Sequence, residues 1–301
     1  MSDAMNAVPE YRVAPTRPMY WSILREVWEN RSVYMAPLIV ATVFLFGFLI
    51  STFRLPGKIR AMETLPSAGK SAALVMPYSM AASMVLLTWF IVGMFYCLDA
   101  LNGERRDRSI LFWKSMPVSD RQTVLSKAAI PALVLPILTF IVALVTQFIM
   151  LILSTAVLVM NGINPVTLWA NVPLLSMTAV MFYGLTVHVL WYAPIYGWLL
   201  LVSAWAKRTT FLWAVLPFVT FFIVERIAFG TRNGVAMLRY RLLGAMTEAF
   251  SVKVPGNTVL TRLSQLDPLR FLSTSGLWIG LIFAAVCLVA AIRLRRNREP
   301  I

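Results

Sequence analysis

Six apolar runs alternate with short polar segments along this chain of 301 residues. They cover residues 33–53, 74–98, 128–160, 173–206, 210–229 and 274–292. A helix needs about 20 predominantly apolar residues to cross the hydrocarbon core of a bilayer, so each run is expected to span. The pattern predicts an all-α integral membrane protein with six transmembrane helices. A first unit, residues 1–32, precedes a transmembrane domain over 33–292, and a basic tail, 293–301, follows it. The third and fourth runs are longer than a bilayer requires. Pro131, Pro136 and Pro194 predict kinks within them, and their ends are expected to project beyond the lipid. The fourth run could also be cut into two short passes, which would reverse every later loop.

The polar segments carry patterns of their own. Before the first span, MYWSILREVWENR places Tyr20, Ile23, Leu24, Val27 and Trp28 on one helical face, opposite Arg25, Glu26 and Glu29. That amphipathy suits a helix lying in the membrane interface. The stretch 230–273, before the last span, is too polar to cross and too apolar for a free loop. Within it VAMLRYRLLGAMTEAF (235–250) reads as a short amphipathic helix and Pro255-Gly256-Asn257 as a turn. Such short helices are expected to pack over the outer mouth of the bundle.

Composition agrees with the membrane class: 59% of residues are hydrophobic and only 13% charged, with a mean hydropathy of +0.75. A soluble domain carries about 25% charged residues. The net charge of +14 would suit a nucleic-acid partner if it formed a basic groove. It is instead scattered through loops and tails beside apolar spans, as membrane topology requires, and no nucleic acid is expected. With both termini in the cytoplasm, sixteen basic residues fall inside: Arg12, Arg17, Arg25, Arg31, Arg105, Arg106, Arg108, Lys114, Arg121, Lys127, Lys207, Arg208, Arg293, Arg295, Arg296 and Arg298. Eleven fall outside, most of them in one long loop that weighs less in the positive-inside rule. The same count argues against splitting the fourth run. No cleavable leader is evident in the polar residues before the first span, which is expected to serve as an uncleaved anchor.

Chemistry-bearing residues are sparse. Cys97 and Cys287 lie in apolar runs without metal-ligand spacing and read as small buried residues. The lone histidine, His188, is expected to be a hydrogen-bonded core residue. Asp99 and Glu225 are the acidic residues nearest membrane depth, and both sit at span ends; Glu225 precedes Arg226 and is expected to pair with it. A coupled carrier usually needs ionisable groups or broken helices near the midplane. No HExxH or GxSxG motif occurs. Gly69-Lys70-Ser71 imitates the end of a phosphate-binding loop, but Thr64 stands where its first glycine belongs. No catalytic, metal or cofactor site is expected in this chain. Gly276, Gly280 and Ala284 form a small-xxx-small stripe that lets helices approach closely, more readily within the chain than between copies.

The segment 99–127, DALNGERRDRSILFWKSMPVSDRQTVLSK after the second span, concentrates six basic residues and then an apolar aromatic face. A connection that only linked two helices would not need Ile110, Phe112 and Trp113. The run from Phe95 to Arg106, followed by SILFWKSMPVS (109–119) and Val124-Leu125-Ser126-Lys127, resembles the loop after the second span in bacterial type-2 ABC transporter permeases. Six spans, inside termini, an interfacial N-terminal helix and short outer helices before the last span are similar to that family as well.

The resemblance implies a permease subunit of the bacterial inner membrane, working with a second permease copy or a paralogue. ATP would be bound and hydrolysed by separate ATP-binding-cassette subunits, so the chain itself would be no enzyme. The loop would be the coupling helix, with Glu104, Arg105, Arg106 and Asp107 setting its register on the ATPase. Ile110, Phe112 and Trp113 would supply the anchors, as buried aromatics ringed by charge do at interface hot spots. An exporter is the leading expectation. A membrane subunit that transmits force in an assembly or maturation complex is the alternative, and a stand-alone carrier comes third. The topology has a direct test: a cysteine introduced as Gly256→Cys is expected to react with an impermeant maleimide in intact cells. Reaction only after lysis would overturn the six-span arrangement.

Overall fold

The computed structural model describes residues 17–61, 67–107, 118–251 and 263–297. Among these residues every regular element is helical, and one antiparallel bridge pairs Phe250 with Leu266. Six helical stretches are long and apolar enough to cross a membrane. The elements are α1 (Pro18–Glu29), α2 (Ser32–Thr52), α3 (Leu55–Ala61), α4 (Ser67–Asp99), α5 (Asn102–Arg106) and α6 (Asp120–Ala129). A π-helical turn (Ile130–Val134) leads from α6 into α7 (Leu135–Met160). Then come α8 (Val166–Asn171), α9 (Leu174–Trp205), α10 (Thr210–Phe229), α11 (Asn233–Ala249), α12 (Pro268–Ser273) and α13 (Ser275–Asn297). The spans are α2, α4, α6–α7, α9, α10 and α13. Four of the six expected runs match within five residues at each end, whereas α4 begins at Ser67 rather than near residue 74 and the third span begins at Asp120 rather than near residue 128. The fourth run is one continuous helix through Pro194, so the split into two passes does not occur.

At about 1.5 Å per residue, α4 and α9 are each roughly 50 Å long, well beyond an apolar core about 30 Å thick. The surplus of α4 and α7 is covered. Leu74, Val75 and Tyr78 of α4 pack with Met150, Leu151 and Leu158 of α7 and with Leu168 of α8. The Tyr78 and Ser154 hydroxyls lie 3.1 Å apart, and Gln147 Nε2 donates to the Tyr78 carbonyl at 3.2 Å. On the other flank α11, Phe250 and Phe271 lie over the midsection of α9, with Trp191 fully buried among them. The short helix expected over 235–250 is therefore present as α11; the expected turn at 255–257 lies outside the described residues.

The third span breaks its helical register at a proline pair, and the neighbouring span repairs it. In the π-turn the Leu135 N–H reaches back five residues to the Ile130 carbonyl. The next donor in that register would serve the Pro131 carbonyl, but residue 136 is proline and has no N–H. The Trp89 indole of α4 fills the gap, donating to the Pro131 carbonyl at 2.9 Å. The same indole stacks against His188 of α9, with ring centroids 4.0 Å apart. Three spans therefore meet at Trp89, which is 1% exposed. His188 is held by rings: besides Trp89 it touches Phe90 and Tyr192, and its Nε2 is buried without a hydrogen-bond partner. The expectation of a hydrogen-bonded histidine fails at that nitrogen, because the neighbours that α4 and α9 supply there are aromatic.

Glu225 also departs from expectation. Its carboxylate turns away from Arg226 to accept from the Thr231 hydroxyl and from the Asn233 and Gly234 N–H groups, at 2.7, 2.6 and 2.9 Å. It thereby satisfies backbone donors that the first turn of α11 cannot pair internally. Arg226 instead donates to the Gly230 carbonyl at 2.7 Å, where the chain turns through a left-handed glycine with φ of 66°.

The small-residue stripe of α13 is occupied within the chain. A Cβ at Gly197 of α9 would lie 3.2 Å from the Ala284 Cα and carbonyl oxygen, so α9 and α13 touch backbone to backbone. Higher on α13, the Gly276 carbonyl accepts from Arg241 Nη1 at 3.1 Å, and the guanidinium lies where a side chain at Gly280 would stand. Arg241 also stacks 4.8 Å above the Trp191 ring.

Trp89→Phe keeps the aromatic packing but orphans the Pro131 carbonyl inside the membrane. We expect it to destabilise the detergent-solubilised protein by about 1–2 kcal/mol, read as a lower thermal denaturation midpoint. An unchanged midpoint would remove the proposed role of that hydrogen bond.

Candidate functional site

The two ends of the bundle differ in chemistry, and the end shared by α1 and the C-terminus of α13 holds a buried ionic cluster. Its centre is Lys127, at the last turn of α6 and 3% exposed. Lys127 Nζ donates to both carboxylate oxygens of Glu26, at 2.9 and 3.0 Å, and lies 3.1 Å from Glu104 Oε1. Glu104 Oε2 accepts from Arg295 Nη1 at 2.6 Å, and Arg295 Nε donates to Asp120 Oδ1 at 3.1 Å. Arg25 closes the group with Nη2 2.7 Å from Glu26 and 3.4 Å from Glu104. The Tyr96 hydroxyl of α4 donates to Glu26 Oε2 at 2.8 Å.

Three carboxylates thus face three cations, contributed by α1, α5, α6 and α13. A buried charge without a partner costs several kcal/mol, so each group here depends on the others being in place. The partly exposed Glu29 sits at the rim. Burial raises its carboxyl above the ordinary value, Arg25 at 3.6 Å opposes the rise, and the nearby Glu26 charge adds to it.

The local sequence explains how α5 is held. The chain leaves α4 at Asp99, and the backbone N–H groups of Leu101 and Asn102 both donate to Ser203 Oγ of α9 at 3.0 Å. In return the Arg105 guanidinium donates to the Ser203 carbonyl and, at 2.8 Å, to the Ala206 carbonyl. The start of α5 and the end of α9 thereby satisfy each other's unpaired backbone groups. At the start of α6, Ser119 and Gln122 form a capping box.

The residues expected to dock an ATPase therefore divide. Glu104 and Arg105 turn inward: Glu104 is 8% exposed and bound to Lys127 and Arg295, and Arg105 caps α9. Arg106 and Asp107 point outward, 63% and 64% exposed at their side chains and 3.2 Å from each other. Ile110, Phe112 and Trp113 lie outside the described residues. Gly276, Gly280 and Ala284 line the α9 and α11 contacts described above, in the part of α13 that precedes the turn carrying Arg295.

Glu26 is the residue the sequence pattern misplaces. The amphipathic pattern puts it on the polar face of α1, yet it is fully buried, while Tyr20 and Trp28 of the apolar face are 57% and 65% exposed. Ile23 and Val27, which flank Glu26 on the helix surface, pack against the core formed by Val33, Tyr96 and Ile130. The face that docks is centred on a carboxylate because Lys127 and Arg25 wait for it. Nothing in the sequence motifs singles out Lys127, Arg295 or Ser203, which the fold brings to the same site. The available signal was an acid set between two aliphatics on α1 and a lysine immediately before the apolar Ala128–Ala129–Ile130.

Among the described residues no group of three or more His, Cys, Asp or Glu side chains is placed to hold a metal ion. Glu104 and Lys127 link the loop that follows the second span to α1, the third span and the last span, so displacement of α5 is resisted by all of them. Lys127→Met removes the buried ammonium that bonds both carboxylate oxygens of Glu26, leaving Glu26 with the partly exposed Arg25 alone, and is expected to cost about 3–5 kcal/mol. Glu26→Gln in the same chain removes the buried charge that Arg25 alone would have to balance, while Glu104 keeps Arg295. The double variant should therefore be more stable than Lys127→Met alone, as measured by thermal denaturation in detergent; a less stable double variant would contradict the assigned pairing. No family model matches the chain, and no curated protein or solved structure matches it either.

Proposed function

We propose that this multi-pass membrane protein is the permease subunit of an ATP-binding-cassette transporter of the bacterial inner membrane, with both termini in the cytoplasm. The observation that carries the reading is the mounting of the segment after the second span. Its first helix, α5, is pinned by Glu104 to α6 and α13 and by Arg105 to the end of α9, while Arg106 and Asp107 remain exposed. A loop anchored on one side and charged on the other suits the transfer of force from a soluble partner into the spans. The motif GERR…SILFWKSMPVS that follows supports the same reading through its resemblance to the type-2 permeases.

In this account a separate ATPase pair binds and hydrolyses ATP, and a second permease, identical or paralogous, completes the complex. Closure of the ATPases presses on the loop. Because α5 cannot move alone, the load passes through Glu104 to Lys127 and Arg295, and through Ser203 to the end of α9. The spans then shift as a connected set, opening a path between the two permeases. The Phe-, Trp- and Met-rich spans favour an apolar or amphipathic cargo moved outward.

Affinity-tagged protein extracted in mild detergent is expected to co-purify a stoichiometric ATP-binding-cassette subunit. Replacing Phe112 and Trp113 by alanine should release that subunit while leaving membrane insertion intact. Unchanged co-purification in the double variant would sink the docking assignment, and no ATPase with the wild-type chain would sink the transporter reading.

A further inference from the structure

Beside the ionic cluster, a cavity of about 840 Å³ opens between the first turn of α6 and the last turns of α13. Four arginines line it, Arg121, Arg293, Arg295 and Arg296, against a single acid, Asp120. That acid is already engaged by Arg295, which also holds Glu104. Arg121, Arg293 and Arg296 are exposed, and none of them makes an ion pair among the described residues. The N-terminus of α6 adds partial positive charge to the same wall. The result is a concave site lined by three arginines that no carboxylate pairs among the described residues. Guanidinium is the side chain best matched to phosphate, through paired N–H donors in a fixed plane.

The apolar part of the lining says what kind of phosphate fits. Val289 and Ile292 of α13 form part of the wall. Val289 is 50% exposed, and one turn towards the membrane Val286 is 60% exposed. An apolar strip therefore runs from the cavity along the face of the last span that the chain leaves uncovered. A small soluble anion would make no use of that strip, whereas an acyl chain lies along it once the headgroup phosphate is held at the polar end. Basic recesses between spans near a membrane surface suit anionic headgroups for the same reason.

We propose that this recess binds the phosphate of an anionic phospholipid, with Arg121, Arg293 and Arg296 on the headgroup and the acyl chain along Val289 and Val286. The site does not rest on the ATPase reading: Arg121 stands near the end of the 99–127 segment, but the lining includes none of the residues assigned to dock an ATPase. Occupancy braces α6 against α13 next to the Asp120–Arg295 pair.

The test is native mass spectrometry of the purified full-length chain in detergent, titrated with phosphatidylglycerol. We expect a retained lipid adduct that phosphatidylcholine does not reproduce and that millimolar inorganic phosphate does not displace. The variant R121Q/R293Q/R296Q should bind the lipid about tenfold more weakly or worse. K207Q/R208Q, which removes two basic residues between α9 and α10, should bind as wild type does. If the triple variant does not extract as a single species, R296Q alone, on an exposed side chain, gives the same comparison with a smaller loss. Equal losses in the control variant would reduce the effect to diffuse surface charge and overturn the site. Displacement by inorganic phosphate would overturn the lipid in favour of a soluble phosphate, and absence of any adduct on the wild-type chain would overturn both.

Discussion

Lys127 holds two carboxylates that the sequence places about a hundred residues before it and about twenty before it, and the polar end of the bundle is organised around that arrangement. Through Glu26 it fixes the helix that precedes the first span; through Glu104 it fixes the short helix that follows the second. Arg295 extends the same network to the end of the last span. The interaction is strong in its consequences because it is buried. Any member left alone would carry an uncompensated charge out of water, so the four segments hold one another in a single register.

Deeper in the bundle the constraint changes from charge to backbone satisfaction. Between helices in lipid there is little hydrophobic driving force, so close packing and hydrogen bonds must specify which helices touch. The pair Pro131 and Pro136 leaves a carbonyl that its own helix cannot serve, and Trp89 serves it from α4. Gly197 against Ala284 brings α9 and α13 to backbone contact, and the glycines above Ala284 make room for Arg241 of the covering helix. Each contact pairs a feature that is unfavourable alone with a partner that removes the cost. This selects one arrangement of spans among many of similar apolar character.

These two layers meet in the loop after the second span. Its first residues serve the fold, since Glu104 and Arg105 bind inward, while Arg106 and Asp107 remain for solvent or a partner. A segment mounted in this way is stiff at its root. In the permease reading that stiffness lets a push on the loop reach spans it does not touch, and in the same region the arginine-lined recess offers the membrane a second hold on α6 and α13.

The six spans, their order and the helix over 235–250 were legible in the sequence. Crossing a bilayer demands long apolar helices whatever their neighbours are, and amphipathic periodicity is a local property of the chain. The small-residue stripe on α13 was legible for the same reason, although its occupants, Arg241 and Gly197, were not. The burial of Glu26, the inward turn of Glu104 and Arg105, the carbonyl served by Trp89 and the cap that Glu225 places on α11 were decided only by the tertiary structure. Each depends on a partner far along the chain or on another helix. A carboxylate reads as solvent-facing until the cation that neutralises it is brought alongside, and only folding brings Lys127 to Glu26.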